Sequence, residues 1–278
     1  MPVKVEQVGA FQLITFNQPD MRNPLSPEVV GLLEEALTLA ESAAEVRAIA
    51  FRGAGPVFSA GGSLGNFEER LAMPLNADGG DPIAISNRRF GVFLERLARL
   101  PKPVVVAAHG AAMGGGAGLV CAADIALACR GTRFSFTETS LGLVPAQILP
   151  FVVARIGSQR ARRLMLTAHR FDADEAMHLG VVDAVVPDMQ ALRERLSEEL
   201  DHIGRCAPQA LARTKRLTQQ CAASGSATGD ALSRLLDEGA RDFAAQLRGE
   251  GAQGVRSARD KRDPAWRVAF DRRVLAEW

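Results

Sequence analysis

The stretch that most restricts what this chain can fold into is residues 102–124, KPVVVAAHGAAMGGGAGLVCAAD. A β-branched run, Val104 to Val106, leads through His109-Gly110 to three consecutive glycines, Gly114 to Gly116, and then into small residues that read as a helix. Glycine loses more backbone entropy on ordering than alanine does, so three of them at a helix start need a compensating reason. Two reasons are open. Bare glycines let a helix and a strand approach closely, and they also let a ligand lie against main chain whose first helical N–H groups have no partner within the helix. In the second case those amide hydrogens can meet a developing negative charge.

Length and composition bound the rest. With 278 residues and 47% hydrophobic residues, the chain can bury a full core as one large domain or two small ones. Its 33 basic and 32 acidic side chains leave a net charge of +1, which gives no general attraction to nucleic acid or to an anionic membrane. Neither is therefore expected as a partner, although a local basic patch for a phosphorylated ligand is compatible with this balance. Cys121, Cys129, Cys206 and Cys221 form no CxxC pair, as expected for structural thiols in a reducing compartment. The start, MPVKVEQVGAF, lacks the apolar core of a signal peptide. Pro103 to Cys129 is nearly all apolar or small, but its strand-like and helix-like halves read as a buried strand-turn-helix rather than a membrane span. The expectation is a soluble, cytoplasmic protein.

Taken in order, Val3 to Gln7 and Phe11 to Phe16 read as a hairpin. Ser26 is a good N-cap with Pro27 at the first helical position, followed by Val29, Leu32, Leu33, Ala36, Leu37 and Ala40 at helical spacing. Val46 to Phe51 reads as a buried strand bounded by Arg52-Gly53, and Phe58 to Ser63 as a second place where small residues expose backbone after a strand. Leu64 to Pro82 reads as a partly irregular covering loop. Ile85 to Leu100 is an amphipathic helix stopped by Pro101, Ile125 to Ala128 a buried strand and Val181 to Val186 a final strand. Short strands alternating with helices imply an α/β fold, because parallel strands need such crossovers. From Met189 the chain is helical and charged. A division near residue 200 separates an expected core, 1–200, from an expected helical assembly region, 201–278.

If the amides of Gly62 and Gly115 converge, they form a two-donor oxyanion hole, each donor worth roughly 3 kcal/mol of barrier. Glu138, a lone carboxylate between two threonines, is the candidate acid or base, since burial would raise its pKa. A solvated loop glutamate is the competing reading. Other chemistries lack their motifs. No glycine loop closes on Gly-Lys-Ser/Thr, Leu119 stands where a dinucleotide fingerprint needs its third glycine, and there is no G-x-S-x-G elbow. His109, His169, His178 and His202 lack metal spacing, so no metal is expected. His109 could touch a ligand, but a packed strand-end histidine is the favoured reading.

FSAG at 58–61, KPVVVAAHGAAMGGG at 102–116, Asp124-Ile125, ETSLGLVP at 138–145 and LTAHRFDADEAMHLGVVDAVVP at 166–187 occur in one order. Together they resemble the enoyl-CoA hydratase/isomerase (crotonase) superfamily, more loosely as far as KRDPAW at 261–266. The resemblance implies a spiral of ββα units with a C-terminal helical trimerisation region, and a homo-trimer or homo-hexamer. It also implies an acyl-CoA substrate, with no cofactor beyond the CoA thioester itself. Gly62 and Gly115 match the amides that hold the thioester carbonyl oxygen, and Glu138 matches the second catalytic glutamate.

The first catalytic glutamate of the typical hydratase is replaced here by Gly118. A single glutamate resembles the double-bond isomerases. However, GGGAGLV together with TETSLGLVPAQILPFVVARIGSQRARR resembles bacterial hydratases of 3-methylglutaconyl-CoA or isohexenylglutaconyl-CoA, from leucine or acyclic-terpene breakdown. Hydratase is the favoured reading, with the isomerase as alternative. CoA is expected over Arg22, Asn23, Leu25, Ala60, Gly61 and Gly62, with Lys261 reaching its phosphates, while Ala258 stands where an aromatic often covers the adenine. Arg22 and Lys261 could equally be solvated charges. Arg70, Arg88 and Arg89 are candidates for a second substrate carboxylate. A non-catalytic acyl-CoA-binding protein of the same fold is the reading from another class.

Overall fold

The computed structural model describes residues 1–62, 74–76, 79–223, 229–276 and 278. The expected hairpin forms β1 (Val3–Val8) and β2 (Phe11–Phe16), paired antiparallel with Val3 opposite Phe16. Ser26 caps α1 (Pro27–Ser42), its Oγ accepting from Val29 N at 3.2 Å. Parallel strands then add in turn: β3 (Ala48–Gly53), β4 (Val104–Ala108), β6 (Ile125–Cys129) and β9 (Ala184–Val186). The sheet order is β1-β2-β3-β4-β6-β9. A smaller sheet joins β5 (Ala111–Met113), β7 (Arg133–Ser135) and β8 (Phe171–Asp172).

Each inner strand of the large sheet is buried on both faces, as crossover-connected strands must be. Ile49, Phe51, Val104, Val106, Ala126 and Ala128 face one core, shared with α1 and with α2 (Pro82–Arg99) through Phe93, Leu94 and Leu97. The alternate residues Ala48, Ala50, Val105, Ala107 and Leu127 face a second core. The stretch that resembled a membrane span is thus β4, β5, α3 (Gly115–Ala122) and β6. Among the described residues no helix is long and apolar enough to cross a membrane.

Two expectations shift. The third strand was expected at Val46 to Phe51, with Arg52-Gly53 outside it, but it runs from Ala48 through Gly53. Arg52 can lie in a strand because its buried guanidinium donates to Thr15 Oγ1 at 2.8 Å and to Glu6 Oε2 at 3.3 Å, and it lies over the Trp278 ring. The division near residue 200 falls inside α7 (Met189–Arg205), after α4 (Leu149–Ile156), α5 (Ser158–Thr167) and α6 (Ala173–Leu179). Leu192, Leu196, Leu200 and Ile203 of α7 belong to the second core. Later residues belong to it as well: Phe270 meets Phe11 edge to face at 5.5 Å, and Trp278 Nε1 donates to Gly53 O at 2.9 Å. Ile203, Phe270 and Leu275, with Val268, Val274 and Trp278 packed against them, therefore help complete the far face of the sheet.

Between these anchors lie α8 (Pro208–Ala223), α9 (Asp230–Arg248) and α10 (Glu250–Arg259). Lys215 of α8 ties this region to the sheet, donating from Nζ to Asp124 Oδ2 at 2.6 Å, while the same oxygen accepts from Val104 N at 2.8 Å. Leu200→Ala should destabilise the protein by about 2–5 kcal/mol in urea unfolding, as much as Leu33→Ala on the other face. A loss below about 0.5 kcal/mol would mean that the second core is not part of the cooperative unit.

Candidate active site

Three backbone segments lie side by side at one end of the sheet. Ser59 N donates to Ala111 O at 3.0 Å and Met113 N to Ser59 O at 3.0 Å, so residues 58–62 run alongside β5. On the other flank Ala60 N donates to Arg22 O at 2.9 Å and Leu25 N to Gly61 O at 2.8 Å. The approach is close enough that a Cβ on Gly61, whose φ is +83°, would lie 2.5 Å from Met113 O and 3.3 Å from Gly115 N. Gly61 therefore seats Gly62 against the start of α3. Neither Gly62 N nor Gly115 N has a hydrogen-bond partner among the described residues, and both glycines line the same cavity.

Glu138 lines that cavity as well. It opens a short turn of 3-10 helix, Glu138–Leu141, which follows β7 and is held by Thr139 Oγ1 donating to Met165 O at 2.6 Å. β7 is tied back to the glycines, since Gly114 N donates to Ser135 O at 2.9 Å. Phe134 stacks on Phe171 with ring centroids 5.7 Å apart, and Phe136 meets the same ring at 6.2 Å, tilted by 44°. Position 114 cannot take a side chain freely: its φ is +49°, and a Cβ there would lie 3.2 Å from Glu138 Oε1. Glu138 Oε2 is buried without a hydrogen-bond partner, and desolvation pushes the carboxyl above the ordinary glutamate range. The solvated-loop reading of Glu138 is thus not what the structure shows. Two amide hydrogens and one carboxyl oxygen, none with a hydrogen-bond partner among the described residues, share one cavity of about 1250 Å³, walled largely by apolar side chains such as Leu25, Phe90, Leu143 and Val144. That arrangement can hold an oxyanion and move a proton beside it.

The remaining expected residues divide. Leu25 lines the cavity and sets the space beside Gly115, whose Cβ would lie 3.2 Å from Leu25 Cδ1. Asn23 is buried and its side chain is fully committed: Oδ1 accepts from Gln18 N, and Nδ2 donates to Ala54 O and Val57 O. It holds the Arg22-Asn23 turn, where both φ values are positive, rather than offering its amide to a ligand. Arg22, Ala60, Gly61 and Lys261 are not among the cavity-lining residues. Lys261 is exposed beyond α10. Arg88 and Arg89 do line the cavity, whereas Arg70 lies outside the described residues, as does most of the expected covering loop. His109 is a packed residue, its Nε2 2.8 Å from Gly55 O and its ring edge-on to Trp278.

Sequence reasoning passed over Gly91, Gln147 and Ile148. A Cβ on Gly91, inside α2, would lie 1.8 Å from Gln147 Oε1 and 3.0 Å from an Arg88 guanidinium nitrogen. The signal was available, since a glycine inside a helix costs about 1 kcal/mol against alanine and so asks for a reason.

Comparison with known proteins places this geometry. Residues 6–268 match the family model described as enoyl-CoA hydratase/isomerase. A Thermus thermophilus relative provisionally called an enoyl-CoA hydratase is 34% identical, over 94% of this chain and 99% of its own. Among solved structures, an enoyl-CoA hydratase/isomerase from Marinobacter aquaeolei superposes with a TM-score of 0.89 at 38% identity, covering 96% of this chain and 99% of that one. Pseudomonas aeruginosa AtuE superposes with a TM-score of 0.87 at 40% identity, covering 96% and 100%. The α/β crotonase-like fold expected from the motifs is the fold observed, and the chain belongs to the enoyl-CoA hydratase/isomerase family.

Proposed function

We propose that this protein is an enoyl-CoA hydratase that adds water to a branched 2-enoyl-CoA of the 3-methylglutaconyl or isohexenylglutaconyl type. The observation that carries the reading is that Gly62 N, Gly115 N and Glu138 Oε2, without hydrogen-bond partners among the described residues, belong to residues lining one cavity. The amides hold the thioester carbonyl oxygen as it gains enolate charge. Glu138 takes a proton from water as the water oxygen bonds to C3, and returns a proton to C2. CoA lies along Arg22-Asn23 and Ala60 to Gly62, and the reaction needs no further cofactor.

The glutaconyl choice rests on one polar corner of a largely apolar cavity. Gly91 makes room for the Gln147 carboxamide beside Arg88, a place for a second carboxylate. Both arginines are paired: Arg88 donates from one Nη to Glu95 Oε2 at 2.9 Å, leaving its other Nη on the Gly91 side, whereas Arg89 is held by Glu34 Oε2 through Nε at 3.1 Å and through a second nitrogen at 2.7 Å. The exposed row Leu232, Leu236, Phe243 and Leu247 along α9 supports assembly into trimers or hexamers.

One observation favours a second reading. With no carboxylate at Gly118, Glu138 alone suits an isomerase that moves one proton between carbons. Incubation in deuterated water with branched glutaconyl-CoAs, crotonyl-CoA and a 3-enoyl-CoA separates the two. Hydration of a branched thioester, reduced about 10²–10⁴-fold in Glu138→Gln, is the expected result. Conversion of 3-enoyl to 2-enoyl thioester without hydration would replace the hydratase reading by the isomerase. Binding of acyl-CoA with no turnover, unchanged in Glu138→Gln, would leave the non-catalytic reading.

The pH dependence follows from burial of Glu138, which raises its folded-state pKa above the unfolded value. Ionisation then costs stability as pH rises through the carboxylate range, fully so above the folded pKa. Glu138→Gln should therefore raise Tm at pH 7, with the difference closing below about pH 4. The acid limb of kcat/KM should lie above the ordinary glutamate range.

A further inference from the structure

Gly118 ends the first turn of α3, its N–H donating to Gly114 O at 2.9 Å. A Cβ at this position would meet the Ile148 side chain, 2.2 Å from Cγ2, 2.6 Å from Cβ and 3.6 Å from Cδ1. Two of those atoms sit at the branched root of isoleucine, which has little rotamer freedom with which to move aside. The Ile148 backbone is also held, because its carbonyl accepts from Phe151 N and Val152 N at 3.1 Å as α4 begins. Side chains at 118 and 148 therefore compete for one volume, and here Ile148 fills it. Ile148 is 3% exposed and lines the cavity together with Gly115 and Glu138.

We propose that Ile148 is a specificity-determining residue: it occupies the space of the side chain that Gly118 lacks and forms the apolar wall against which the acyl branch packs. Gly118 and Ile148 thus act as a matched pair, and Gly118 is required because Ile148 is present. The pair makes this wall a surface for a hydrocarbon substituent rather than a mount for a second polar group. The proposal rests on the reading that the cavity takes an acyl-CoA thioester, and it adds which residue selects the branch.

Ile148→Ala widens the cavity at the α3 wall while leaving Gly62, Gly115 and Glu138 in place. With 2-enoyl-CoAs bearing hydrogen, methyl or a longer alkyl branch at C3, the kcat/KM ratio of the longest branch to methyl should rise about 10-fold or more, the scale of a methylene-sized change in an apolar pocket. Gly118→Ala should lower Tm, and Gly118→Ala combined with Ile148→Ala should recover most of that loss, so that the two changes are non-additive. Non-additive Tm values with an unchanged ratio would make Ile148 a packing residue only and overturn the proposal. Additive Tm values would overturn the shared volume itself. A wild-type chain that turns over none of these thioesters contradicts the proposed reaction instead. Dissociation constants for the matching saturated acyl-CoAs then read the same Ile148 selectivity, and failure to bind any of them overturns this proposal too.

Discussion

Three backbone segments pressed edge to edge set the geometry on which the rest of the site depends. Residues 22–25, 58–62 and 111–115 are held together by main-chain hydrogen bonds between 2.8 and 3.0 Å, and the closeness is possible because Gly61 puts no Cβ in front of Met113 O. Such contacts are stiff, since each displaced amide would leave a buried polar group unpaired. They use the amides of Leu25, Ser59, Ala60 and Met113, while at the zipper's end Gly62 N and Gly115 N have no partner among the described residues and both glycines line the cavity. The proposed oxyanion hole needs donors fixed before charge develops, and this zipper would fix two backbone amides for it.

Glu138 is the complementary feature, a group held against its preference for water. Its turn is tied down by backbone and threonine hydrogen bonds, yet the Oε2 atom receives none. A buried acceptor without a partner costs stability, so the hydrogen bonds of the turn, Thr139 Oγ1 to Met165 O and Leu143 N to Glu138 O, must hold it in place. The same desolvation raises the carboxyl's pKa above the ordinary glutamate range, which ties the local instability to the proposed chemistry.

Much of this was legible in the amino-acid sequence, for identifiable reasons. Ser26-Pro27 marks a helix start through local capping, and the β-branched runs mark strands through local periodicity. The glycine clusters at 61–62 and 114–116 announce close backbone approach because nothing else requires so many at element ends. Longer-range facts were not legible. The amphipathic pattern of Met189–Arg205 shows an apolar stripe but not that the stripe seals the far face of the sheet, so a division near residue 200 looked natural. Asn23 reads as a polar loop residue, whereas its amide is spent on Gln18, Ala54 and Val57. Ile148 disappears in an apolar segment, because its competition with Gly118 joins positions that no periodicity links.

The central claim is that Gly62, Gly115 and Glu138 surround one thioester. A crystal structure of the protein with a saturated branched acyl-CoA tests it most directly. The account predicts the thioester oxygen at about 2.7–3.1 Å from both glycine nitrogens, with the Glu138 carboxyl facing the carbons next to the carbonyl. A thioester oxygen directed away from those amides, or an acyl chain lying outside the cavity, would contradict it.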